Sequence, residues 1–592
     1  MGCVSSEPTS CHAPVFQFCA FLINNLDLKG AVRIDPTQKL AGILVPVFAL
    51  RSRQDLGIGD TECVREMIDW CARHQFSVLQ VLPINETSDD NSPYNAISSM
   101  ALDPTTLAVS PEGIPDLSPA AFRKIAAPFL LEELRRGPVA YRKVKPLKMR
   151  LLRTAFSSFL KKQHAKNSTR ARQFQQFLSA NHHWIANYSL FRALMELRQN
   201  SPVWEEWPPE HQAPSDARNW LSSLPEAERR RVDEDALFFS YAQWIAREQW
   251  IGLKRHAEKK GVLLMGDIPF GVGRCSADVW ANREMFDLKW SCGAPPESFF
   301  KPDLFTERWG QNWGVPLYHW DRMKENSFSW WKARVRATSE IFHLFRIDHV
   351  LGFYRVYAFP WQPQQNGEFT HLSHHEARGR TGGELPRFWP DDDGNEDKKN
   401  KNRLQGEELL RMVLETAGKT GVVAEDLGMV PDYVRPSLLH LGIPGFKIPI
   451  FERNQDGSYK DSSQYSPLSV ATPGTHDHEP LAALWKRWSS SPDHAAERRH
   501  LLSWIGWDPD RAPQDLTPEL HAAIVRKLLG CSSWLAVLMI TDLFAQTARF
   551  NQPGPASDSN WSERLSVPVG EFDRDPAIIS CLRRLEPCLP RK

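Results

Sequence analysis

Eight short apolar runs recur along the chain, and several end in polar residues and a turn. They are "GILVPVFAL" (42–50), "VLQVLPIN" (78–85), "VLLMGDIPF" (262–270) and "HLFRIDHV" (343–350), then "GVVAEDLG" (421–428), "GFKIPIF" (445–451), "SVATPGTHD" (469–477) and "WLAVLMITDLF" (534–544). Near-continuous apolar strands separated by helical stretches indicate a parallel sheet buried on both faces. Eight such units predict a (β/α)8 TIM barrel, and 592 residues leave room for large insertions. No comparable run occurs between about 111 and 250. There, "MRLLRTAFSSFLKK", "FQQFLSANHHWIANYSLFRALMELRQ" and "LFFSYAQWIAREQWIGLKRHAEKK" carry apolar residues at three-to-four spacing. This stretch is expected to be a mainly helical subdomain inserted after the second barrel strand. Residues 1–33 read as a leader and 34–592 as the barrel with its insertions. "DDDGNEDKKNKNR" (391–403) reads as a charged surface loop.

Composition narrows the partner. Lys+Arg number 72 and Asp+Glu 71, so no global field invites nucleic acid or an anionic membrane. A basic stretch (Arg142, Lys143, Lys145, Lys148, Arg150, Arg153, Lys161, Lys162) is either a solvated helix face or a polyanion site. The 22 tryptophans serve cores, but flat indoles also stack on sugar faces. Ten scattered cysteines without a CxxC pair argue against a disulfide scaffold or structural zinc and fit a reducing cytoplasm. No apolar run reaches the length of a membrane span. The opening "MGCVSS" matches a myristoylation pattern, with Cys3 free for a second acyl chain. The alternative is a plain leader.

The candidate chemistry lies at four strand ends. Asp267 follows one, in "GDIP". Arg346, Asp348 and His349 follow another, Glu425 and Asp426 a third, and His476, Asp477 and His478 a fourth. In a (β/α)8 barrel these C-terminal ends converge on one cleft. Arg346 and Asp348 are two apart on a strand, so both point into the barrel mouth. A guanidinium keeps a neighbouring carboxylate ionised, as a nucleophile must be. A second, buried carboxyl stays protonated and can donate to a leaving oxygen. Two such carboxyls about 5 Å apart make a retaining glycosidase or glycosyl transferase. Taken singly, an acidic residue after a strand is more often a helix cap or ion-pair partner, and Asp426 is read that way.

In this order the motifs resemble the α-amylase superfamily, and more closely glycoside hydrolase family 77, the 4-α-glucanotransferases or amylomaltases. The resemblance runs from about Gly42 to Arg564. It rests on "GILVPVFALRSRQDLGIGD", "SPY", "GDIPFGVGRCSADVWANREMF", "GQNWG", "FRIDH", "AEDLG", "GTHDH" and "RFNQPG". It implies Asp348 as nucleophile, Glu425 as general acid/base and Asp477 as transition-state stabiliser. Arg346, His476, Tyr94 and Asp267 would bind the glucose beside the scissile bond. Gln311, Trp313 and Asn551 would line neighbouring subsites. For Trp313 a core packing role is the alternative, and His349 either orients its strand or fills the core. The resemblance implies α-1,4-glucans and maltooligosaccharides as donors, glucose or glucan as acceptor, and no cofactor. Three features depart from the family pattern: Glu297 where Asp is common, a longer spacing from it to "GQNWG", and "THDH" for "THDN". Two rival readings are a hydrolase with the same site and a silent glucan-binding barrel. The intact Asp348, Glu425 and Asp477 weigh against the second.

Overall fold

The computed structural model describes residues 34–297, 302–553 and 559–589. The leader 1–33, and with it "MGCVSS", lies outside them. The strands are β1 Leu40–Leu44, β2 Val78–Gln80, β3 Leu263–Ile268, β4 Phe286–Ala294, β5 Gln311–Tyr318, β6 Leu344–Ile347, β7 Val356–Phe359, β8 Arg387–Trp389, β9 Gly421–Ala424, β10 Gly445–Lys447, β11 Ser469–Ala471 and β12 Leu535–Met539. Eight form one all-parallel sheet in the order β10-β11-β12-β1-β2-β3-β6-β9. Each lies within one of the eight apolar runs or overlaps it. The two outer strands meet. Ala424 N–H donates to the carbonyl of Pro444 at 2.9 Å, and Phe446 N–H donates to Asp426 Oδ1 at 2.6 Å. The sheet therefore closes into a barrel, and Asp426, also paired with Arg435 at 3.0 Å, belongs to its seam.

The core follows from strands that are apolar on both faces. β12 (LAVLM), β9 (GVVA) and β11 (SVA) are buried along their whole length. On β3, a Cβ at Gly266 would lie 2.4 Å from the Phe342 ring. The missing side chain is what lets that ring pack onto the strand.

Helices fill the chain between β2 and β3, with no strand among them. The longest, Glu226–Lys260, ends at Gly261 in the left-handed conformation (φ 68°), the usual glycine stop. The second helical stretch of the sequence is two helices, Thr169–Ala180 and His182–Leu197. The break falls at Asn181, whose amide donates to Phe177 O while its Oδ1 accepts from Trp184 Nε1. Much of the basic stretch is engaged inside the chain. Lys148 is buried on the carbonyl of Leu107, Lys143 pairs with Glu133, and Arg153 pairs with Glu196 and Asp235.

The charged segment 391–403 is a loop only as far as Asn395. The Asn395 side chain accepts from Lys398 N–H at 2.9 Å and caps a helix, Glu396–Ala417. Glu396 and Asp397 sit in its first turn, where negative charge suits the helix dipole. Local capping chemistry thus overrides a composition that reads as loop.

A four-stranded antiparallel sheet, β5-β4-β7-β8, was not visible in the apolar pattern. It has its own small core of Phe305, Trp309, Phe359, Trp361, Phe369 and Ala377, in which Trp361 and Phe369 stack at 3.8 Å. No helix among the described residues is long and apolar enough to cross a membrane.

Candidate active site

β3 and β6 pair in register with Asp267 opposite Arg346. This register sets up the centre of the mouth. The Arg346 guanidinium is almost fully buried; its Nη1 donates to Asp267 Oδ2 at 2.7 Å, and its Nη2 lies 2.8 Å from Asp348 Oδ1 and 4.0 Å from Glu425 Oε2. One fixed cation thus holds three carboxyl groups from three strands. On the next strand over, Glu425 N–H donates to Ile347 O and Val350 N–H donates to Glu425 O.

A second layer comes from the loops. The Tyr94 hydroxyl donates to Asp267 Oδ2 at 2.8 Å. Its ring stacks on His476, with centroids 4.8 Å apart and planes 11° from parallel. His476 Nε2 is 3.3 Å from Asp477 Oδ2, and the Asn551 amide donates to Asp477 Oδ1 at 2.6 Å.

Burial separates the carboxyl groups electrically. Glu425 is pushed up to about 8, chiefly by burial and further by the charge of Asp348, against the pull of Arg346 and the His349 amide. It therefore carries a proton at neutral pH. Asp267 is pushed up to about 7 by burial, with Arg346 opposing. Its Oδ1 is buried without a hydrogen-bond partner. Burial would raise Asp477 too, but His476, the Asn551 amide, His478 and Arg346 outweigh it and hold the group below its ordinary range. His476 is held below its ordinary value by burial.

Two residues outside the predicted set shape this arrangement. His349 has a left-handed backbone (φ 44°), uncommon for a residue with a side chain. That bend turns its N–H onto Glu425 Oε2 at 2.7 Å. Arg549 donates through Nη2 to the carbonyl of Asp477 and through Nε to that of Asn551, both at 2.6 Å. It ties together the two loops that meet at Asp477. The positive φ leaves no trace in the sequence. The "RFNQPG" motif holds Arg549 and Asn551 but not Asp477.

Gln311 and Trp313 lie on β5 of the second sheet, apart from the barrel strands. Trp313 is 37% exposed and stands edge-on to His349 at 4.8 Å, so it is not a core residue. Its Nε1 donates to Gln311 Oε1 at 3.2 Å. Glu297, the departure from the family's Asp, faces the loop after Glu425: a Cβ at Gly428 would lie 3.0 Å from its Oε1. Burial raises its pKa.

The ten predicted residues thus fall into an inner group of eight around Arg346 and a pair on β5. A closed barrel whose mouth gathers carboxyl groups around one guanidinium, one of them held protonated by burial, and is walled by aromatic rings and neutral amides, has the build of an enzyme that acts on glycosidic bonds. The particular family is shown by sequence: the profile of the family described as 4-alpha-glucanotransferase matches residues 45–568, and the chain belongs to it. It is 32% identical over 549 residues to the 4-alpha-glucanotransferase of Chlamydia pneumoniae, covering 90% of this chain and 92% of that one. It is 26% identical to 4-alpha-glucanotransferase DPE2 of Oryza sativa subsp. japonica, covering 94% of this chain and 70% of that one. Among solved structures, the amylomaltase from Streptococcus agalactiae in complex with acarbose shares the fold. It has a TM-score of 0.70 at 22% identity, over 93% of this chain and 99% of that chain.

Proposed function

We propose that this site transfers a segment of an α-1,4-glucan to the 4-hydroxyl of glucose or of another glucan, through a covalent intermediate on Asp348. The observation that carries the reading is the single Arg346 nitrogen set 2.8 Å from Asp348 and 4.0 Å from a protonated Glu425. A protonated carboxyl and a second carboxyl, both beside one point, are what a retaining double displacement requires.

In the first step an Asp348 oxygen attacks the anomeric carbon. The bond from that carbon to the leaving 4-oxygen breaks, and the Glu425 proton passes to that oxygen. In the second step Glu425, now a carboxylate, takes the proton of the incoming 4-hydroxyl, whose oxygen displaces Asp348. Two inversions give net retention. Asp477, kept charged by His476 and Asn551, accepts hydrogen bonds from sugar hydroxyls and stabilises the positive character that develops at the ring. Asp267, buried behind Arg346 and Tyr94, fixes both groups beside the same sugar. Tyr94 with His476, and Trp313 with Gln311, supply flat faces and amide groups to the neighbouring glucose units.

Maltooligosaccharides are the small donors this reading selects, and the cytoplasm is the compartment it fits. The test is incubation with maltotriose, sizing products while counting reducing ends. Glucose plus a ladder of longer oligosaccharides, at constant reducing ends, is the expected result. Reducing ends that rise without longer products would replace this reading with hydrolysis by the same carboxyl groups. No change at all would overturn both.

A further inference from the structure

Most of the 22 tryptophans are core residues, among them Trp70, Trp250, Trp280, Trp331 and Trp485. Trp313 faces the mouth. Trp220 packs partly against the core and partly borders the surface. It sits on the helix Pro214–Ser223 and lines an open cleft of about 590 Å³ with Pro209, Glu210, Asp216, Asn219 and Ser223.

We propose that this cleft is a second, non-catalytic binding site for a neutral α-glucan chain. The inference rests on the glucanotransferase reading for the identity of the sugar. The cleft supplies the recognition chemistry. The Trp220 indole is braced by His211, whose ring meets it at 70° with centroids 4.2 Å apart. His211 is itself fully buried, and Arg198 Nη2 lies 3.0 Å from its Nδ1. The His211 carbonyl accepts from Trp280 Nε1 at 2.9 Å. The platform is thus fixed before any ligand arrives, so binding costs little ordering entropy.

Around it are exposed polar side chains. The side chains of Glu210 and Asn219 have no hydrogen-bond partner among the described residues, and Asp216 takes only the Ser215 hydroxyl at 3.3 Å. A pyranose offers an apolar face for the indole and a rim of hydroxyl donors for two carboxylates and an amide. The same two carboxylates repel nucleotides and other anions.

The cleft also lies on the mouth side of the barrel. Trp280, which bonds His211, sits on the short helix Ala277–Ala281 that follows β3. So does Ala277, whose N–H donates to Ile97 O, three residues beyond Tyr94. A chain long enough to leave the mouth has this cleft on the same end of the molecule. The site therefore acts on long glucans and is irrelevant to short ones.

The experiment compares the full-length protein with Trp220→Ala, Trp220→Phe and Asn219→Ala, the last removing an exposed group that supports no packing. Native electrophoresis in gels containing amylose reads binding. Initial rates on maltotriose and on amylose read the two substrate classes. Amylose should retard the wild type, and Trp220→Ala and Asn219→Ala should lose most of that retardation, with Trp220→Phe between. KM for amylose should rise about three- to tenfold in Trp220→Ala, while maltotriose kinetics stay within about twofold. Unchanged retardation in both alanine variants overturns the proposal, as does an equal loss on maltotriose and amylose. A wild type inactive on maltotriose would instead overturn the glucanotransferase reading, and the amylose gel would still decide whether the cleft binds glucan.

Discussion

Replacing Glu425 by Gln tests the proton that the mechanism depends on. With its pKa near 8, about nine in ten Glu425 side chains are protonated at pH 7 and about one in ten at pH 9. A glutamic acid left at its ordinary 4.5 would be protonated in only about one molecule in 300 at pH 7. The buried setting therefore makes the acid available to most of the enzyme, and kcat/KM should fall tenfold per pH unit above about 8. Asp267, pushed to about 7, adds its own inflection, which the substitution leaves in place. Glu425→Gln keeps a carbonyl oxygen for the His349 amide now bonded at 2.7 Å, so the loop geometry is retained. It has no proton to give. Rates on maltotriose should drop about 10²- to 10⁴-fold and lose the limb near pH 8, with only the Asp267 inflection left. A maltosyl donor whose leaving group departs as a stable anion needs no protonation, and its first step should survive. The same shift means that the folded barrel binds this proton more tightly than the unfolded chain does. The associated stability is complete below 4.5 and is lost as pH rises through 8, so Glu425→Gln should flatten the fall of melting temperature over that window. A limb near pH 8 that persists in Glu425→Gln, or a wild-type limb near pH 4.5, would refute the assignment.

Asp348→Asn should abolish transfer while circular dichroism and melting temperature stay near wild type; product ladders from maltotriose at near-normal rate would disprove its role. Asn551→Ala removes the 2.6 Å donor to Asp477, and Arg549→Lys loosens the two carbonyl contacts behind it. Both should lower kcat more than they raise KM, by about tenfold or more for Asn551→Ala, read from initial rates. Trp313→Ala, at a 37% exposed position, should leave stability within about 0.5 kcal/mol but raise KM and the share of donor lost to water, read from reducing ends. Gly266→Ala would place a methyl 2.4 Å from the Phe342 ring and should cost about 1–3 kcal/mol, read from denaturant midpoints.

The barrel was legible in the sequence because parallel strands covered on both faces are apolar without interruption, as in "LAVLM" and "GVVA". The inner site was legible for a related reason. A polar group that ends such a run has only the mouth to face, which is where Asp267, Arg346 and Glu425 lie. The second sheet offered no such signal. "FDLKWSCGA" mixes Lys289 and Ser291 into a strand broken by two register shifts, and "QNWGVPLY" contains Gly314 and Pro316. Its pairing with β7 and β8 spans long insertions, so no local pattern announces it. Gln311 and Trp313 were therefore found by motif, while the platform that carries them was not. The helix starting at Glu396 was hidden in the same way, because charge density resembles a loop until Asn395 is recognised as a cap. The contacts of His349 and Arg549 are harder still, since both act through backbone atoms. A sequence records side chains, whereas the N–H that His349 turns to Glu425 and the carbonyl through which Arg549 grips Asp477 exist at every position. What singles them out is a dihedral angle in one case and the meeting of two distant loops in the other, and each becomes visible only once the barrel has closed.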